Sequence, residues 1–261
     1  MYEGVKTWNP FVGCRFGCVY CKPSFQRQAK RQKRRCELCY RYEPHFHPER
    51  LNKVPKAKVV FACAYGDIAF AKVEWLEQIL ETIEKHDDKT FYLQTKDPRV
   101  FEALNDICGF PKNVLLGITL ETNLDEFNTP SRFKKYEEIS KAPKPEDRWI
   151  TPNLIDYVTI EPILDFDLET FVYWIRCLSP KFVYIGYDNH NCKLPEPRGE
   201  KTLSLIRELS KFTEVRLKTI RPAWYENNGN TVFKRLSDFS SSSRHPSVQE
   251  EEGEEKGGVE S

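Results

Sequence analysis

Three cysteines stand at C-x3-C-x2-C in the stretch Cys14-Arg15-Phe16-Gly17-Cys18-Val19-Tyr20-Cys21. Packing gives no reason to gather three thiols in a polar, glycine-containing loop. Metal chemistry does, because thiolates are natural ligands of iron–sulfur clusters and of zinc. Three local thiolates leave one iron of a cubane [4Fe–4S] cluster without a protein ligand. An open metal position is where a substrate or cofactor binds, whereas a closed one is usually structural.

A second pair, Cys36-Glu37-Leu38-Cys39, follows fourteen residues after Cys21. Cys18, Cys21, Cys36 and Cys39 therefore also have the spacing of a paired zinc knuckle. In that case the basic stretch between the pairs is a nucleic-acid arm, Cys14 is incidental, and His45 and His47 are spare ligands. Two features favour the cluster at Cys14, Cys18 and Cys21. Gly13 and Gly17 precede the first two cysteines and Tyr20 precedes the third, which makes a compact loop whose amides can donate to sulfur. A zinc knuckle also does not explain why this loop follows the first strand of the chain. Cys36 and Cys39 are then candidates for a second metal, zinc among them, with His45 or His47 as partners. Cys63, Cys108 and Cys177 lie on apolar faces and are expected in the core.

The elements that must position these residues follow from the apolar pattern. Residues 4–8 form a short first strand that ends at the cysteine loop. Residues 24–35 are compatible with a helix, and residues 36–57 form a Cys/His/Pro-rich insert whose prolines prevent a continuous helix. From residue 59 the chain becomes regular. Strands are expected at Val59–Ala64, Thr90–Thr95, Val114–Leu120, Tyr157–Ile160, Phe182–Gly186 and Glu214–Lys218. Between them lie helical stripes: Val73, Leu76, Ile79, Leu80 and Ile83; Val100, Phe101, Leu104 and Ile107; then residues 131–141, Leu168–Leu178, 199–212 and 222–237. Strand and helix alternating about every thirty residues is the βαβ pattern of a parallel sheet. Seven such units over residues 1–237 suggest an α/β barrel or partial barrel, and a doubly wound open sheet shares the pattern; a disordered Ser/Glu-rich tail is expected over 238–261.

In parallel α/β folds ligands bind at the carboxyl ends of the strands. Those ends carry the cysteine loop, Tyr65-Gly66-Asp67, Gln94-Thr95-Lys96, Glu121-Thr122-Asn123, Glu161, Tyr187-Asp188-Asn189 and Lys218-Thr219-Ile220-Arg221. Such a rim suits a zwitterionic, ribose-bearing cofactor, although Asp67 and Asp188 can equally cap helices. Glu161 closes an apolar strand, a costly place for a carboxylate unless it is paired or used. The chain has no G-x-G-x-x-G after a strand and no G-x-x-x-x-G-K-[ST], which removes nicotinamide and P-loop chemistry from consideration.

Composition bounds the rest. The 261 residues carry a net charge of +1, so no overall polyanion signature exists, but residues 27–35 hold six Lys/Arg and no acid. That run is either a solvated face or a nucleic-acid contact. No apolar run reaches the roughly 18–20 residues of a membrane span, and the amino-terminal segment lacks a signal peptide's apolar stretch. A cytoplasmic location is therefore expected, with no membrane partner.

At these residues the chain resembles the radical SAM superfamily, in which C-x3-C-x2-C with an aromatic before the third cysteine follows strand one of a partial barrel, so the resemblance implies an α/β fold of the partial (β/α)6-type TIM barrel over residues 1–237. More narrowly it is similar to a phage- and archaea-associated family of radical-SAM-like proteins. The matching pieces are Trp8-Asn9-Pro10-x-x-Gly13-Cys14, His47-Pro48-Glu49-Arg50-Leu51, Thr95-Lys96-x-Pro98, Leu116-Gly117-Ile118-Thr119 and Glu161-Pro162. The resemblance implies that Cys14, Cys18 and Cys21 hold a [4Fe–4S] cluster whose fourth iron binds S-adenosylmethionine (SAM). It also implies an external electron donor and a 5′-deoxyadenosyl radical that abstracts a hydrogen atom. Tyr20 is the aromatic beside the cluster. Asp67 falls where the superfamily has a G-G-E segment, from which Tyr65-Gly66-Asp67 departs. Lys96, Glu121 and Glu161 match rim positions suited to the cofactor or the substrate. Nucleic acid is the leading substrate class, through residues 27–35.

Overall fold

The computed structural model describes residues 4–149 and 154–226. β1 (Lys6–Trp8) runs through the two-residue β2 (Phe11–Val12) into the cysteine loop. α1 (Phe25–Lys30), α2 (Glu37–Arg41) and β3 (His45–Phe46) follow. The chain then alternates through β4 (Val59–Ala62), α3 (Val73–Glu84), β5 (Thr90–Thr95), α4 (Arg99–Ile107) and β6 (Val114–Thr119). It continues with β7 (Tyr157–Ile160), α5 (Leu168–Leu178), β8 (Phe182–Ile185), α6 (Gly199–Leu209) and β9 (Glu214–Leu217).

Seven strands form one sheet in the order β1-β4-β5-β6-β7-β8-β9, and every neighbouring pair is parallel. The strand order never reverses. With right-handed crossovers, an order without reversal puts each connecting helix on the same face and curls the sheet, whereas a doubly wound sheet changes direction midway. β1 and β9 are the edges, so the seven strands form an open, partial barrel, as expected.

The two faces follow from the period of two along each strand. Val60, Phe91, Leu93, Ile118, Val158, Ile160, Val183 and Ile185 are fully buried; they alternate with the positions that face the cavity and so lie on the outer, helix-covered face. That explains why the strands read as apolar runs. The opposite face is layered. At its base Tyr92, Tyr157, Phe182 and Tyr184 form an aromatic cluster, with Tyr157 stacked on Phe182 at 5.2 Å. Above it lies a polar belt: Gln94 donates to Thr119 Oγ1 at 2.7 Å and accepts from Thr159 Oγ1 at 3.2 Å. Gly117 makes room for the base. A Cβ there would lie 2.1 Å from the Tyr157 ring.

Several expectations are corrected. Residues 131–141 are not an α-helix. They form an extended loop with a single 3-10 turn at Tyr136–Glu138, and Phe133, Tyr136 and Ile139 pack against Phe16, Cys18 and Tyr20. Their backbone bonds go to the cysteine loop instead of to a helix: Val19 N–H donates to Ile139 O at 2.9 Å and Lys141 N–H to Phe16 O at 2.8 Å. The connection from β6 to β7 is therefore a loop that covers the cysteines. The insert is more ordered than its prolines suggest, because it holds α2 and pairs β3 antiparallel with β2. Cys108 is exposed rather than buried, since α4 has ended by that residue. Pro222–Glu226 form no helix, and the remainder of the expected helix 222–237 and the expected tail 238–261 lie outside the described residues. No helix among the described residues is long and apolar enough to cross a membrane.

Candidate functional site

A cavity of about 400 Å³ opens at the carboxyl ends of the strands. Cys14, Cys18 and Cys21 line it, as do Tyr20, Asp67, Lys96 and Glu161 from the expected set. The polar belt of Gln94, Thr119 and Thr159 forms part of its wall, with Asp188, Asn189 and Lys218 from the last strands. Glu121 is drawn into the same region but stands behind the wall, fully buried.

The cysteine loop is held from three sides. Gly13 N–H donates to Tyr65 O at 3.0 Å and Asp67 N–H to Gly13 O at 3.2 Å, which ties the loop to the end of β4. Gly13 has φ +107°, and a Cβ on it would lie 2.3 Å from the Glu43 carbonyl, so glycine is required where the insert crosses the loop. The β6–β7 loop supplies Ser140, whose hydroxyl is 3.0 Å from Cys18 Sγ. Phe16 N–H points at Cys14 Sγ at 3.4 Å, an amide-to-sulfur bond of the kind the glycine spacing suggested.

The electrostatics favour a thiolate at Cys18. A hydrogen bond from Cys21 holds its pKa down to about 6 against burial, and Lys96 and Ser140 act in the same direction. Burial pushes Cys14 up, with the Asp67 carboxylate adding to the rise. Cys21 is also pushed up, first by its hydrogen bond with Cys18 and then by burial.

Lys96 belongs to a buried network that the sequence did not reveal. Its ammonium pairs with Glu121, which also accepts from the Tyr20 hydroxyl. Arg148, fully buried, donates from Nη1 to Glu121 Oε2 at 2.6 Å and to Thr119 O at 3.1 Å. Its other amino group donates to the Tyr136 hydroxyl. Burial alone would raise the Glu121 pKa; the Lys96 ammonium and the Arg148 guanidinium override it and hold the carboxyl at about 2. Tyr20 and Glu121 thus sit in one hydrogen-bonded network that holds the Lys96 ammonium at the cavity wall. Arg148 and Tyr136 carried no sequence signal: Arg148 ends a charged, proline-containing run that looks solvated, and Tyr136 had the spacing of a helix face.

Asp67 accepts from Thr95 Oγ1 at 2.6 Å, from Lys96 N–H at 2.9 Å and from Ala69 N–H at 3.1 Å. It caps the turn after β4 and links β4 to β5. Asp188 similarly accepts from the backbone of His190 and Cys192 at 3.0 and 2.6 Å. Glu161 pairs with Lys218 on the cavity wall.

The paired cysteine motifs do not meet. Cys36 and Cys39 gather with His45 and His47, the four ligand atoms lying within 4.8 Å of one another, a group able to hold a metal ion. Cys18 and Cys21 sit apart from it on the cavity wall, so the four-thiolate knuckle is not formed. The motif segments around the two cysteine groups interlock. Trp8 Nε1 donates to Arg50 O at 2.8 Å, and Arg50 Nη1 donates to Asn9 O at 2.9 Å. Asn9 Oδ1 in turn accepts from Tyr65 N–H at 2.8 Å.

Among solved structures the fold is similar to that of spore photoproduct lyase. A variant of that protein with dinucleoside spore photoproduct superposes with a TM-score of 0.55 at 13% identity, covering 81% of this chain and 76% of that chain. A variant with bound AdoMet and dinucleoside spore photoproduct gives 0.54 at 13% identity, over 80% and 75% of the two chains. No curated protein sequence matches the chain. Residues 4–166, more than half of the chain and spanning the cysteine loop, the insert and Glu161, match one family, and the chain belongs to it: the family described as "Protein of unknown function (DUF5131)".

Proposed function

We propose that the protein is a radical SAM enzyme. Cys14, Cys18 and Cys21 would hold a [4Fe–4S] cluster, and the cavity would seat SAM and the substrate. One observation carries this: the three cysteines line the mouth of a partial barrel's cavity, at the strand ends, with the Lys96 ammonium beside them. The donor set fits the group. Three soft thiolates suit three irons of a cubane, and no fourth cysteine lines the cavity among the described residues. When bound, the cluster and SAM supply reductive cleavage to a 5′-deoxyadenosyl radical for hydrogen abstraction. A fold neighbour solved with AdoMet bound supports the same use of this cavity.

The chain's own residues position and shield. Lys96, fixed by Glu121, places a cation where it stabilises thiolates and can meet a carboxylate. Glu161 with Lys218, and Asn189, offer polar groups for a ribose or an amino acid moiety. The β6–β7 loop packs over Cys18, and the aromatic base closes the barrel beneath. Electrons would come from an external donor.

Nucleic acid is the substrate class the mouth favours. Ser24, Phe25 and Gln28 of the α1 segment line the cavity, while Arg27, Lys30, Arg31, Lys33, Arg34 and Arg35 of the same stretch of chain are all exposed. Phe25 is 37% exposed and lies 6.3 Å from Tyr65, a surface on which a base can stack. Anaerobic reconstitution should load about four iron per chain and release 5′-deoxyadenosine with reductant. Iron loading without any 5′-deoxyadenosine from folded protein would refute the enzyme. Oligonucleotide binding should weaken steeply with salt and fall when Arg31, Arg34 and Arg35 are changed to Glu. Binding unchanged by that reversal would refute the substrate class alone.

A further inference from the structure

The insert holds a ligand group that the cavity chemistry does not use. Cys36 is the cap of α2 and its sulfur accepts from Cys39 N–H at 3.3 Å, so both sulfurs sit on the first turn. His45 and His47 alternate around Phe46, which places both imidazoles on one side while Phe46 stacks on Trp75 at 5.8 Å. Cys36 Sγ and Cys39 Sγ each lie 3.3 Å from His45 Nε2, and Cys39 Sγ lies 3.2 Å from His47 Nε2.

The outer partners orient the rings. His45 Nδ1 is 2.7 Å from the Glu43 carbonyl, which can only accept. His47 Nδ1 is 2.8 Å from a Glu49 carboxylate oxygen. Both Nε2 atoms therefore face inward, 2.8 Å from each other and beside the two sulfurs. Two sulfurs and two imidazole nitrogens converging on one point are the arrangement a single metal ion requires. An outer carboxylate and carbonyl on the imidazoles are also what metal-bound histidines characteristically have.

We propose that Cys36, Cys39, His45 and His47 bind a single Zn²⁺ in a closed tetrahedral site that braces the loop carrying Cys14. Bond lengths of zinc to sulfur and nitrogen imply tetrahedral edges of about 3.3–3.8 Å; the three sulfur–nitrogen separations of 3.2–3.3 Å and the nitrogen–nitrogen separation of 2.8 Å fall at or below the short end of that range, and all four ligand atoms lie within 4.8 Å of one another, as one ion rather than two requires. A two-iron centre with histidines on one metal and cysteines on the other needs wider sulfur–nitrogen distances. The site is closed because four protein ligands fill it. Its mechanical link to the loop is direct: β3 pairs with β2, His47 N–H donates to Pro10 O at 2.6 Å, and the Glu43 carbonyl lies over Gly13. The insert has little apolar core of its own: it adds Cys39 and Tyr42 to a small cluster with Val12 and Ala29, and a metal staple is the usual remedy for so small a unit.

The test uses the full chain, purified anaerobically, with zinc and iron measured by elemental analysis. The expected result is about one zinc per chain, retained when Cys14, Cys18 and Cys21 are all changed to Ala and lost in Cys36→Ser/Cys39→Ser and in His45→Ala. Zinc lost from the first variant, or kept in the others, overturns the assignment. Cobalt substitution in the wild-type chain guards against variants that fail to fold. An intense tetrahedral visible spectrum with thiolate charge transfer is expected, and a weak octahedral spectrum overturns it. Chelator-stripped chain should take up several-fold less iron at Cys14, Cys18 and Cys21. Iron uptake equal to that of the zinc-loaded chain overturns the bracing role. None of these outcomes depends on SAM cleavage.

Discussion

Arg148 Nη1 and Glu121 Oε2 meet at 2.6 Å with neither side chain exposed. The pair joins the β6–β7 loop to the end of β6, directly behind the cysteine loop. Lys96 and the Tyr20 hydroxyl complete the ring of donors around Glu121, and Tyr136 reaches it at 3.3 Å. The wall of the cavity and the lid over Cys18 are thus one electrostatic unit.

Removing one member should show this. Arg148→Met leaves a buried carboxylate short of a partner and frees the β6–β7 loop. Breaking a buried pair costs about 3–5 kcal/mol, which lowers the Tm by roughly 10 °C for a chain of this size. Thermal unfolding by circular dichroism checks it. A shift under ~2 °C would mean that Lys96 alone satisfies Glu121.

The same network sets an acid limit. The Glu121 pKa is lowered from 4.5 to about 2 in the folded chain, so the unfolded state binds the proton more readily. Its stabilisation is fully present above pH 4.5 and is lost as the pH falls toward 2, an effect of about 3 kcal/mol. Denaturant unfolding between those pH values should show wild type losing stability faster than Glu121→Gln, which starts lower but is flatter. Parallel slopes would contradict the assigned shift.

Gly117 is expected to tolerate no side chain. Gly117→Ala should cost at least ~1–3 kcal/mol through overpacking against Tyr157, and Tyr157→Leu should recover part of it. Denaturant melts of the two single variants and the double variant give the coupling. Additive losses would show that the ring is not the obstacle.

The barrel was legible because its outer face is apolar at every second position and its helices are striped. Thr90–Thr95 and Leu168–Leu178 fall where the pattern put them. The β6–β7 loop was not legible. Phe133, Tyr136 and Ile139 have helical spacing, yet their burial comes from folding over the cysteines, a contact between residues more than a hundred positions apart. Arg148 was invisible for a different reason: its charged partner Glu121 lies 27 positions upstream on another element, and its neighbours Lys144, Glu146 and Asp147 look like any solvated run. The rim positions Asp67, Lys96 and Glu161 were found from the strand-end rule, although the rule did not show that Asp67's oxygens already hold Thr95, Ala69 and Lys96. Cys36 and Cys39 were already grouped with His45 or His47 as candidate metal ligands, but that both imidazoles join them depends on β3, which the prolines concealed.

The most direct test is electron paramagnetic resonance of the anaerobically reconstituted, reduced protein, with and without SAM. A cluster held by Cys14, Cys18 and Cys21 alone should give a signal that shifts when SAM binds the open iron, and Cys18→Ala should abolish it. A reduced cluster whose spectrum is unchanged by saturating SAM would contradict the proposed function.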